Sequence, residues 1–221
     1  MKHLLPVLAL LLLHGATAQG QEAAVPAATM QWYVGVGAAA HSYYSINRPY
    51  SRLRPANLMV GYQVKPRVAL QVELQHGRET DEEQYNSMVN GENYTFLNQT
   101  KTRSTSVTLL ARFSRSHPQM PLQFDWLLGI AAVHGREQDI IRRTSAAGTD
   151  TYVYQPIQAS APHLVGGVSL RYLVGPHMAV NAQLVANKNL QIPPISLWGI
   201  VPGGGASLGV SYAFQPRPSA E

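Results

Sequence analysis

Four charged residues, Glu73, Arg112, Asp125 and Arg171, fall in successive stretches of alternating polarity and present minus, plus, minus, plus. Enclosed carboxylates and guanidiniums need one another, because each unpaired buried ion costs several kcal/mol. Pairing is the chemistry this set offers. A nucleophilic acyl-transfer or deacylation site would instead need a hydroxyl beside an imidazole, oriented by an acid. His41-Ser42 is the nearest local candidate. Adjacent strand residues point to opposite faces, so these two meet only where the strand has ended. A polar strand-to-loop transition accounts for them, and no catalytic residue is assigned. His41, His76 and His134 end three runs at a similar level, but His41 continues the polar face and the other two the apolar face. They read as interfacial histidines; no metal site and no cofactor is expected.

The elements that must position these residues are strands. In Val68–Gly77, Val68, Leu70, Val72 and Leu74 point one way and Gln71, Glu73 and Gln75 the other. The same period of two recurs in runs beginning near Trp32, Asn57, Thr105, Leu122, Leu164, Val180 and Gly205. Together they predict eight strands of roughly 8–12 residues, the length that crosses a bilayer at a tilt. Eight is also the smallest usual number for a closed barrel. Connections alternate between short and long. Lys65-Pro66-Arg67, Ser114 to Pro121 and Gly175-Pro176-His177 are short; 41–56, 78–103, 134–162 and 187–203 are polar or Gly/Pro-rich and read as long loops.

Such strands could bury the apolar face in a soluble, lipocalin-like barrel or turn it to lipid. Three features favour lipid. The polar face carries small residues such as Gly35, Gly61, Gly129 and Gly167, suited to a narrow lumen. Trp32, Tyr62, Phe113, Phe124, Trp126, Tyr172, Tyr212 and Phe214 share the apolar face near the short-turn end. Rings gather at headgroup level, and a soluble core gives no reason for them to collect at one rim. The third feature is the alternating charge of Glu73, Arg112, Asp125 and Arg171. The expected structure is a closed, eight-stranded antiparallel transmembrane β-barrel with an ion network plugging the lumen.

Composition narrows the partners. Lys2 and His3, the apolar run Leu4–Leu13 and Ala16-Thr17-Ala18 form a secretory signal peptide, residues 1–18, with cleavage expected after Ala18. A short lead (19–29), the barrel (30–214) and a periplasmic tail (215–221) follow. The chain has no cysteine, so disulfides, thiolate metal sites and a lipid-bearing cysteine are excluded. Lys plus Arg number 17 against 12 for Asp plus Glu, yet no basic run tracks a phosphate backbone, so nucleic acid is not expected. Arg48, Arg52 and Arg54, with Arg142 and Arg143, are placed in long loops where guanidinium forks could contact lipopolysaccharide phosphates.

The alternating runs, the short and long connections and the closing stretch Gly209-Val210-Ser211-Tyr212-Ala213-Phe214 resemble the small eight-stranded outer-membrane β-barrel proteins of the outer-membrane protein A transmembrane-domain type. The resemblance covers roughly residues 30–214. It implies a bacterial outer-membrane location with both termini periplasmic, lipid and lipopolysaccharide as surroundings, and insertion by the barrel-assembly machinery. Phe214 departs from the pattern in being followed by Gln215–Glu221. Members of this group include structural barrels, adhesion proteins, narrow pores and enzymes that modify lipid A. The residues favour a structural or surface-recognition role without covalent chemistry. A narrow gated pore and lipid A acyl modification are the alternatives, and the extracellular partner stays open.

Overall fold

The computed structural model describes residues 31–42, 54–89, 91–117, 120–146, 148–191 and 203–214. Residues 1–30 and 215–221, with the expected signal peptide and tail, lie outside them. Among the described residues nine strands form one antiparallel sheet: β1 (Gln31–Ser42), β2 (Ala56–Lys65), β3 (Val68–Val89), β4 (Glu92–Ser114), β5 (Leu122–Ser145), β6 (Gly148–Val153), β7 (Ile157–Val174), β8 (Met178–Asn189) and β9 (Gly203–Ala213). Eight of them close a ring. β1 pairs with both β2 and β9, β4 pairs with β5, and β5 pairs with β7, so every ring strand has two neighbours. Closure satisfies the backbone groups that an open sheet edge would leave to lipid.

The remaining strand, β6, lies outside that ring. β6 folds back only on the far end of β5, from Ile140↔Val153 to Ser145↔Gly148. Two connections expected as long loops are therefore mostly strand. β3 and β4 stay paired from Val68↔Phe113 to Val89↔Glu92, with Gly91 at φ +83° in the turn. β5 runs with β4 as far as Thr95↔Thr144. The apolar–polar alternation that marks a strand fades where both faces are wet, while Thr-, Tyr- and Ile-bearing segments such as 94–97 and 140–144 remain good strand formers.

Burial follows the period of two. Along β3, Gln71, Glu73 and Gln75 are buried while Leu70, Val72 and Leu74 are exposed. The apolar face is the outside of the ring and the polar face is its interior. No helix among the described residues is long and apolar enough to cross a membrane.

Candidate functional site: the barrel lumen

The inward positions near the short-turn end of β4, β5 and β7 bring Arg112, Asp125 and Arg171 together. Asp125 Oδ2 stands 3.5 Å from Arg112 Nε and 3.5 Å from Arg171 Nη2. Asp125 is fully buried, and both guanidiniums are buried beside it. One carboxylate is thus shared by two guanidiniums, at ion-pair rather than short hydrogen-bond distance.

Glu73 sits elsewhere in the lumen. Its register partner is Thr108, four residues along β4 from Arg112. Gln71 Nε2 and Gln75 Nε2 donate to its carboxylate, and Gln183 hydrogen-bonds it from β8. Glu73 therefore rests in a cradle of amides, and Arg112 reaches it only through space.

Tyr33 joins the two groups. It is an inward aromatic on β1, buried opposite Gly61. Its hydroxyl donates to Gln71 Oε1 at 2.8 Å, and the Arg112 guanidinium carbon lies 5.7 Å from its ring centroid. The aromatics of the sequence pattern belong to the outside, whereas Tyr33 takes the opposite parity to Trp32. Its signal was the inward glycine across the strand pair.

Toward the long-hairpin end an apolar half-collar on β4, β5 and β7 faces buried polar residues such as His41, Gln75 and Asn187. Leu110, Ala131, Val133 and Val165 are buried against one another, with Val185 packed beside them. Beside this collar a lumenal cavity of only about 10 Å³ is lined by Glu73, Gln75, Thr108, Gln183 and Asn187 among others. That is about the room needed for one water. A larger concavity, about 470 Å³, lies on the outside of the ring, over Ala38, Ala40, Ala182 and Ala206. Its lining is aliphatic apart from Gln183 and Ser207, whose parity turns them toward the lumen.

His41 and Ser42 do not converge. β1 keeps regular pairing to its last residue, His41↔Gly205 and Ser42↔Gly204, so their side chains leave opposite faces. The His41 ring lies over Gly205, where a Cβ would stand 2.4 Å from it. His76 and His134 point outward and hydrogen-bond Thr105 and Ser160 at 2.9 and 2.8 Å. Among the described residues no cluster could hold a metal ion.

The aromatic set lies on the outside at the short-turn end. Trp32 packs on Tyr62 at 4.7 Å, and Phe124 meets Trp126 edge-on at 5.5 Å. Tyr212 meets Phe214 edge-on at 5.9 Å, and Phe113 pairs with Trp126 in register. Tyr172 is exposed opposite Leu122. Of the loop arginines, Arg48 and Arg52 fall outside the described residues. Arg54 is exposed just before β2. Arg142 and Arg143 lie in the β5 extension on opposite faces, not in a loop. Arg143 donates to Asp150 at 3.0 Å and lies 4.8 Å over the Tyr94 ring; the bond to Asp150 raises the guanidinium pKa further. The Tyr94 phenol is pushed up by its hydrogen bond to Glu92.

No protein-family profile and no curated protein sequence matches the chain. Solved structures do match. The attachment invasion locus protein Ail of Yersinia pestis is 16% identical, with a TM-score of 0.50 over 84% of this chain and 99% of that one. The N-terminal β-barrel domain of Pseudomonas aeruginosa OprF is 16% identical, with a TM-score of 0.48 over 84% and 100%. Neisserial surface protein A is 17% identical, with a TM-score of 0.46 over 82% and 96%. A ring of eight antiparallel strands, apolar outside and ionic within, gives this chain the fold of the small eight-stranded outer-membrane β-barrels.

Proposed function

We propose that this protein is an outer-membrane barrel with a closed lumen, serving a structural or surface-recognition role and carrying out no covalent chemistry. The observation that carries this reading is Asp125 held between Arg112 and Arg171 across three strands. An ion cluster at one level and apolar packing at the next narrow the lumen, and the cavity beside them, about 10 Å³, has room for little more than one water. The short turns and both termini face the periplasm. The β3–β4 and β5–β6 hairpins stand outside the cell as the presenting surface. The aromatic closing strand supports recognition by the barrel-assembly machinery.

Purified protein in planar bilayers should show no steady conductance. A stable channel of porin size would overturn the closed lumen and make solute diffusion the function. Orientation is read separately, since the chain lacks cysteine. Thr151→Cys should react with an impermeant maleimide on intact cells and Arg67→Cys should not; the reverse pattern would turn the barrel over.

A further inference from the structure

The register of the β3–β4–β5 sheet sets three arginines side by side. Arg78 pairs with Arg103, and Arg103 pairs with Arg136. All three are exposed and share the outward parity of Val72, Val107 and Ile130. Lys101 follows one outward position farther from the bilayer, paired with Thr80 and Gln138. Arg54 continues the outward parity of β2 just beyond Ala56, the partner of His76. The acidic residues of the same strands turn mostly to the other face: Glu79, Asp81, Glu83, Glu137 and Asp139 share the parity of Glu73 and Asp125. Glu82, the outward exception, is bound by Gln99.

Like charges directly opposite across strands destabilise a sheet, so three guanidiniums in one row call for an anion between them. Depth says which anion. The row Val68–Phe113–Trp126 lies at the aromatic, short-turn rim, and each strand reaches its arginine ten residues later. Ten residues at ~3.3 Å, tilted by about 40°, rise about 25 Å, the height of the apolar band of an outer-membrane barrel. The His76–Thr105–His134 row marks the edge of that band, and the arginines stand one outward step beyond it. Arg142 lies six residues farther along β5, about 20 Å of strand, and is clear of that level.

We infer that Arg78, Arg103 and Arg136 form a docking surface for the phosphates of the outer-leaflet glycolipid, a diphosphorylated lipid A. Neighbouring strands lie about 4.8 Å apart, so the row spans about 10 Å and can engage two phosphates at once through guanidinium forks. The level of the row relative to the apolar band does not depend on the closed lumen. Placing it in the outer leaflet rests on the long hairpins facing outward.

The test uses full-length mature protein in phosphatidylcholine nanodiscs containing lipid A. Lipid A enters both leaflets, so the outcome is independent of which end faces the cell exterior. Native mass spectrometry counts retained lipid A. Wild type should retain diphosphoryl lipid A and lose most of it when the lipid is dephosphorylated. R78Q/R103Q/R136Q should retain about tenfold less, as charge-assisted forks are lost. K65Q/R67Q, which removes exposed charge at the opposite rim, should match wild type. Should the triple variant fail to give a folded barrel by circular dichroism, R103Q alone, the centre of the row, should lower retention about threefold. Equal retention by the arginine variants, or equal retention of dephosphorylated lipid A by wild type, would overturn the proposal.

Discussion

The Tyr33 ring fills the space that a side chain at Gly61 would need: a Cβ there would stand 2.0 Å from Tyr33 Cζ. The pair lies in register on β1 and β2, both residues facing inward. Glycine is required here by a close approach, since its backbone is ordinary strand. Gly61→Ala should displace the ring, break its bond to Gln71 and cost about 1–3 kcal/mol, the usual penalty for overfilling a packed interior. Urea unfolding from lipid vesicles measures this. Tyr33→Ala should relieve the overfilling, so the double variant should lie well below the sum of the single costs.

Asp125 should be the most expensive single loss in the lumen. Its neutral replacement, Asp125→Asn, leaves two enclosed guanidiniums without their counter-ion, whereas Arg112→Ala leaves Asp125 still facing Arg171. Removing one partner of a buried ion pair typically costs ~3–5 kcal/mol. We expect Arg112→Ala in that range and Asp125→Asn above it, with strong non-additivity in the double variant. Equal, additive costs would mean that the three residues do not act as one cluster.

On the proposed closure, the ion cluster and the apolar packing next to it each block the lumen, so opening it should take two changes. Leu110→Ala widens the collar but leaves the Arg112–Asp125–Arg171 cluster intact, and should stay non-conducting. Arg112→Ala combined with Leu110→Ala should produce small, flickering steps in planar bilayers. Steps of that kind in Leu110→Ala alone would assign closure to the collar.

Charge on the outer surface should be tolerated by depth. Leu109→Arg places a guanidinium amid the exposed apolar residues of β3–β5 and should cost about 2–4 kcal/mol. Gln138→Arg, on the same sheet beyond the arginine row, should cost about 0–1 kcal/mol, the range found near the interface. Equal costs at both places, measured by vesicle unfolding, would contradict a bilayer edge between them.

Trp32 and Trp126 are about half exposed on the outside, and Trp198 falls outside the described residues. Trp198→Phe protein in vesicles of brominated lipid should lose most of its fluorescence, with greatest quenching by bromine near the headgroup. Shielded tryptophans would indicate that the apolar face is not in lipid.

Parity was legible from the residues alone. Whether Glu73 or Leu74 faces a given side depends only on the two-residue repeat of an extended chain, and an apolar–polar alternation states it outright. Which residues meet across strands was not legible, because that depends on how far neighbouring strands slide past one another, and closure of the ring sets it. Hence the sequence could place Glu73, Arg112, Asp125 and Arg171 on one face, while register decided that Asp125 meets both arginines and that Glu73 meets glutamines. The β3–β4 extension escaped the sequence for another reason. Its two faces are both polar, so burial writes no pattern into it, and only pairing with a neighbour reveals that it is strand. The Arg78–Arg103–Arg136 row combines both limits: three residues scattered through apparent loops become one surface only when three strands are set in register.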